Sequence, residues 1–141
     1  MRFARRILIL SALMLAACNS PEKSVEVRDA WSPPAPPGAT VIAVYATIVA
    51  HQNDTLLSVS STIAREAQLH ATTEENGMMK MRPVAKLALK AGETVRFEPG
   101  GMHLMLIDPN TAPSAHAPIS LIFHFEHAGD IEVRAEVKQP N

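Results

Sequence analysis

The chain has 141 residues, with 13 Lys and Arg against 14 Asp and Glu, six histidines, seven methionines and one cysteine. Its few basic residues are scattered, which argues against a nucleic-acid partner. A single cysteine cannot build a disulfide framework.

The N-terminal segment differs in kind from the rest. Arg2, Arg5 and Arg6 form a positive n-region, and residues 7–15 supply an apolar stretch of signal-peptide length, too short for a stable bilayer span. Leu15-Ala16-Ala17-Cys18 then sets small residues before the lone cysteine, and this resembles the lipobox of bacterial lipoproteins. The expected organisation is a signal peptide over residues 1–17, a lipidated Cys18 with a short polar tether over 18–24, and one domain over 25–141. Cleavage leaves 124 residues, enough for one domain with a real core, and removal of the three arginines takes the formal charge from −1 to −4. With Cys18 lipidated the mature domain holds no thiol, so a metal site would have to be built from His, Met and carboxylates. The expected location is the extracytoplasmic side of a bacterial membrane. Asn19 rather than Asp after the cysteine resembles outer-membrane sorting in a Gram-negative host.

Residues 25–31 alternate weakly, and Pro33-Pro34-Ala35-Pro36-Pro37 follows, where missing amide donors exclude strand and helix alike. Residues 40–50 are rich in Val, Ile and Tyr and read as a buried strand. Residues 51–54 read as a turn and 56–61 as the next strand. Short runs with period two continue over 66–72, 78–84, 93–98, 102–107, 119–125 and 131–137, separated by Gly, Pro and Asn. No segment after the signal carries a helical apolar stripe. The expected fold is all-β, an antiparallel sandwich or barrel.

The informative side chains are histidines and methionines out of phase with the core. Over residues 66–72 the apolar set is Ala67, Leu69 and Ala71, so His70 shares the opposite face with Glu66, Gln68 and Thr72. Over 102–106 the core set is Met102, Leu104 and Leu106, so His103 and Met105 stand on the other face, about 7 Å apart along the strand. With Met81 these residues form the pattern His-x10-Met-x21-His-x-Met, whose chance occurrence in this composition is below about one in a thousand.

That pattern resembles the periplasmic PCu(A)C copper chaperones, also known as the DUF461 family. The likeness extends through Ala39-Thr40-Val41 to Tyr45, Gln68-Leu69-His70, the run from Gly77 to Val84, and Pro99-Gly100-Gly101 onward to Leu106, and so covers nearly all the mature chain. It implies a cupredoxin-like Greek-key β-sandwich that holds one Cu(I) through His70, Met81, His103 and Met105. It also implies delivery of copper to an acceptor protein, commonly toward the Cu(A) centre of a haem-copper oxidase: the oxidase subunit II or an assembly factor. Some members carry a His/Met-rich C-terminal tail with a second copper site. Residues 137–141 here carry no such run.

The donor chemistry agrees with that implication. Two thioethers and two neutral imidazoles form a soft, uncharged set suited to Cu(I), whereas Zn(II) prefers thiolate, imidazole or carboxylate. A blue-copper electron carrier needs a Cys thiolate, which the mature domain lacks. Among the remaining candidates, Met79 is expected to pack, and Met102 to point inward. His51 and His116 are expected to be solvated, and Trp31 to anchor the core. His124 and His127, three apart at a strand end, leave a weak Cu(II) or Zn(II) contact open. Glu74 and Glu75 read as a solvated turn that could lend negative charge to the metal mouth. No nucleophile–base–acid arrangement is visible, so no enzyme is expected; a monomer is. A copper-sequestering or resistance lipoprotein, and an adhesive sandwich with accidental His/Met spacing, stand as the competing readings.

Overall fold

The computed structural model describes residues 23–114 and 117–139. The expectations for residues 1–22, Cys18 among them, and for His116 lie outside these residues. No helix among the described residues is long and apolar enough to cross a membrane.

Ten strands follow one another: β1 (Val25–Ser32), β2 (Val41–Ala50), β3 (Asp54–Ser61), β4 (Ala64–Glu75), β5 (Met78–Pro83), β6 (Leu87–Leu89), β7 (Thr94–Phe97), β8 (Met102–Pro109), β9 (Ile119–Phe125) and β10 (Gly129–Val137). Nine of them match stretches picked out in the sequence, six by clear period-two alternation. The tenth, β6, has three residues, too few for alternation to show. The strands are ordered β5-β4-β8-β7-β2-β1-β10-β9-β3-β6. Pairing is antiparallel except between β1 and β10 and between β7 and β8, so the expected antiparallel sandwich contains two parallel contacts. The β1–β10 contact joins the two halves.

Period-two alternation explains the core. Along β9, Ile119, Leu121, Phe123 and Phe125 are buried while Ser120 between them is exposed. Along β2, Ile42, Val44, Ala46 and Ile48 face inward, and on β8 Leu104 and Leu106 do the same. These residues from both halves form one apolar cluster, the layer expected when the inner faces of two sheets interdigitate. The proline run after β1 carries no strand, as its missing amides require. Ser24, at the end of the expected tether, is already tied to the domain, its carbonyl accepting the amides of His51 and Gln52.

Asp54 is the one buried carboxylate among the described residues, and it opens β3. Its Oδ1 accepts the amides of Thr55 (2.7 Å) and His127 (3.0 Å), and its Oδ2 accepts that of Ala128 (2.8 Å), which pins β3 to the turn between β9 and β10. Burial alone would raise its pKa; the hydrogen bonds to the charged form outweigh burial and hold it below the ordinary carboxylate value. A carboxyl depressed in the folded state stabilises the fold above about pH 4, where the unfolded group ionises, and that stabilisation is lost as pH falls through the lower folded value. Asp54→Asn turns an amide nitrogen toward a backbone donor. It is expected to lower stability at pH 7 by about 1–3 kcal/mol and to flatten the acid limb of stability against pH, both measured by urea unfolding.

Candidate metal centre

The candidate residues are brought together by strand register. β4 lies between β5 and β8. His70 is paired directly with His103, Gln68 with Met105, and Thr72 with Met81. Cross-strand partners share a face, as do residues two apart on one strand, so His70, Met81, His103 and Met105 all stand on the same outward face. The opposite face carries Leu69 against Leu104 and Ala67 against Leu106, the apolar set read from the sequence. His70 is central, opposite His103 and diagonal to both methionines.

Met81 owes its place to a two-residue hairpin. Asn76 and Gly77 have φ of 53° and 73°, the left-handed pair of a type I′ turn, and Glu75 pairs with Met78 across it. One residue more or fewer would turn Met81 to the other face.

The two imidazoles lie with ring centroids 5.9 Å apart, tilted by 37°. His103, on a strand flanked on both sides, is only 8% exposed, so it faces outward yet is buried. Its Nδ1 lies 3.1 Å from the Gly101 carbonyl. His70 is half-buried; its Nε2 lies 3.0 Å from Gln68 Oε1, and its Nδ1 is buried without any hydrogen-bond partner. Burial first, and the neighbouring His103 second, hold the His70 pKa below the usual imidazole value, which favours the neutral, ligand-competent ring. Met105 is half-buried and stands apart from the apolar cluster, whereas Met102 packs against it, as expected. Met81 is 60% exposed on the edge strand, so the face is walled at His103 and open at Met81.

A neighbour becomes visible only in the fold. Tyr45, two residues beyond the Met105 partner Ala43, stands on this same face, and its ring packs against Trp31 with centroids 4.8 Å apart and planes tilted by 40°. Trp31 is therefore no core anchor. It is half-buried and lines a surface cavity of about 360 Å³ with Arg96, Glu98 and Lys138.

Other expectations need correction. Met79 does not pack; it is 62% exposed, because β5 is an edge strand with no neighbour beyond it. Of the two turn glutamates, Glu74 stands on the candidate face opposite Met79, whereas Glu75 lends that face no charge. On the reverse side of the hairpin it binds Lys80 at 3.0 Å and Arg82, which hold its pKa below the ordinary carboxylate value. His51 is exposed in its turn, as expected. His124 and His127 approach different carboxylates, Asp130 at 2.7 Å and Asp54 at 3.4 Å. Among the described residues, no three His, Cys, Asp or Glu side chains gather to hold a metal. The sequence concealed one polar chain: Ser60 Oγ lies 2.9 Å from His124 Nε2, whose Nδ1 faces Asp130. Its three members come from β3, β9 and β10, on a solvent-exposed sheet face. Acyl transfer needs a water-excluded site with preorganised donors, and an open sheet face excludes no water.

The profile of the family described as "Putative lipoprotein LpqE-like" matches residues 25–137. The chain is 30% identical over 129 residues to "Putative lipoprotein Lxx21020" of Leifsonia xyli subsp. xyli, an alignment covering 87% of this chain and 76% of the relative. Among solved structures, "Copper-bound PCuAC domain from PmoF2" is similar with a TM-score of 0.69 and 23% identity, covering 83% of this chain and 94% of that one. The solution structure of "CuI-DR1885" from Deinococcus radiodurans is similar with a TM-score of 0.64 and 23% identity, covering 88% and 83%. These structural likenesses concern the fold: the all-β, cupredoxin-like sandwich expected from the sequence is the one observed.

The hairpin offers a direct test of register. A Cβ at Gly77 would meet nothing within 4 Å, so substitution there acts through φ alone. Gly77→Val is expected to cost about 1–2 kcal/mol and to speed amide hydrogen exchange in β5 while leaving β8 protected, as read by mass spectrometry.

Proposed function

From the membership of this chain in the LpqE-like family, we propose that it is an extracytoplasmic metallochaperone that carries one Cu(I) on His70, Met81, His103 and Met105 and passes it to an acceptor protein. The observation that carries this reading is the shared outward face of those four side chains, with a buried, unpartnered imidazole nitrogen at its centre. An orphaned buried acceptor is costly unless something binds it, and a neutral set of two imidazoles and two thioethers suits Cu(I). Two of the similar structures, one copper-bound and one holding Cu(I), support the same cargo.

Copper is cargo here, and the protein performs no catalysis. Carriage requires release, and the exposure of Met81 on an edge strand favours hand-over against permanent sequestration. The acceptor in this reading is the Cu(A) site of a haem-copper oxidase, reached through its subunit II or an assembly factor. The domain acts as a monomer over residues 25–141, tethered through a lipidated Cys18 after removal of residues 1–17. The naming of the Leifsonia relative as a lipoprotein supports that anchor. Asn19 favours the outer membrane in a Gram-negative host.

Two experiments test the reading. In competition with a chromophoric chelator under reducing conditions, the domain should take up one Cu(I), with mixed sulfur and nitrogen scattering in X-ray absorption; a nitrogen/oxygen-only shell would refute the ligand set. Met105→Leu preserves volume at a cost below about 1.5 kcal/mol, so its apo melting temperature should stay near wild type while Cu(I) affinity falls at least about tenfold, roughly 1.4 kcal/mol. Copper should also raise the melting temperature of the wild type more than that of the variant. For the anchor, Cys18→Ser should release the protein from the membrane fraction; unchanged membrane association would refute lipidation at this residue.

A further inference from the structure

The outward face of β4 carries three polar side chains in line, Glu66, Gln68 and His70, each two residues from the next. They form a hydrogen-bonded relay. Gln68 Nε2 lies 2.9 Å from Glu66 Oε1, and Gln68 Oε1 lies 3.0 Å from His70 Nε2. The direction of the relay follows from elementary donor and acceptor chemistry. An ionised carboxylate only accepts, so Glu66 draws the NH2 end of the Gln68 amide toward itself. The carbonyl end then faces His70, and a carbonyl also only accepts. His70 Nε2 must therefore carry the hydrogen, which leaves a lone pair on Nδ1, the buried nitrogen without a partner.

Across the strand pair the assignment is reversed. His103 Nδ1 lies 3.1 Å from the Gly101 carbonyl. A carbonyl can only accept, so His103 Nδ1 carries the hydrogen and Nε2 the lone pair. A metal-ligating histidine whose second nitrogen donates to a fixed acceptor is held in one tautomer and one ring orientation. We propose that Glu66 and Gln68 are positioning residues that lock His70 as its Nε2–H tautomer, so that Cu(I) is taken by Nδ1 of His70 and Nε2 of His103. The inference rests on the metallochaperone reading and deepens it. Of the two directly paired histidines, one binds through the nitrogen near its backbone and the other through the nitrogen at its tip. Gln68 has a further place in the arrangement, since it is also the cross-strand partner of Met105.

The test uses residues 23–141, which keep all ten strands, the apolar cluster and the Ser24 carbonyl that accepts the His51 and Gln52 amides. Long-range 1H–15N correlation of the apo protein above pH 7.5 reads each histidine tautomer directly, and Cu(I), being diamagnetic, allows the same spectrum after loading. His70 is expected as Nε2–H and His103 as Nδ1–H, with Cu(I) moving the resonances of His70 Nδ1 and His103 Nε2. Gln68→Leu removes the acceptor and should mix the His70 tautomers, lowering Cu(I) affinity by about ten- to a hundredfold at an unchanged apo melting temperature. Gln68→Glu, which can only accept, should keep the Nε2–H tautomer. A wild-type His70 found as Nδ1–H, a copper-induced shift at His70 Nε2, or a Gln68→Leu variant binding as tightly as wild type each overturns the inference while the metallochaperone reading stands. A wild type that takes up no Cu(I) overturns both.

Discussion

The candidate centre depends on the register between β4 and β8. That antiparallel pairing sets Leu69 against Leu104 on the inner face and, one residue along, His70 against His103 on the outer. The two requirements are a single constraint, because side chains alternate strictly along a strand. A slip of one residue in either strand would drive that strand's imidazole into the apolar layer and expose its leucine side chains. Burial of the leucines, roughly 1.5–3 kcal/mol each, thus also enforces the pairing of the histidines. The core specifies the site without containing it.

This separation explains why ligand-like chemistry and stability coexist in a small sandwich. The inner face is filled by aliphatic and aromatic side chains from both halves, with Phe123 fully buried. Asp54, the one buried carboxylate among the described residues, accepts three backbone amides. The outer face of β5, β4 and β8 is relieved of packing duty, so an imidazole nitrogen there stays unpaired, a condition a core would not tolerate cheaply.

Much of this was legible in the sequence because period two is a local signal. Together with β-branched composition and turn residues it located nine of the ten strands, the inward set of β8, and the outward phase of His70, His103 and Met105. Non-local pairing was invisible. No pattern in the chain reveals that His70 meets His103 directly, that Ser60, His124 and Asp130 converge from three strands, or that Trp31 rests on Tyr45 instead of the core. Met79 illustrates the limit: alternation places it on the Met81 face, but burial depends on a neighbouring strand, and β5 has none on its outer side. The three-residue β6 fails for the opposite reason, being held by its partner β3 and too short to announce itself.

The exposure of β5 has a consequence beyond access. Met78, Met79 and Met81 are 60–62% exposed as residues, and a thioether open to a soft metal is equally open to peroxides. Oxidation to the sulfoxide replaces a soft sulfur donor with a polar, oxygen-bearing group. Met105, half-buried, and Met102, packed against the core, are sheltered by comparison. Oxidative damage would therefore begin at the rim of the sheet, removing soft donors from the open side of the face while the folded core persists. Such a protein would retain its shape in an oxidising compartment after losing its thioethers, and its functional lifetime there would be set by sulfur chemistry before unfolding.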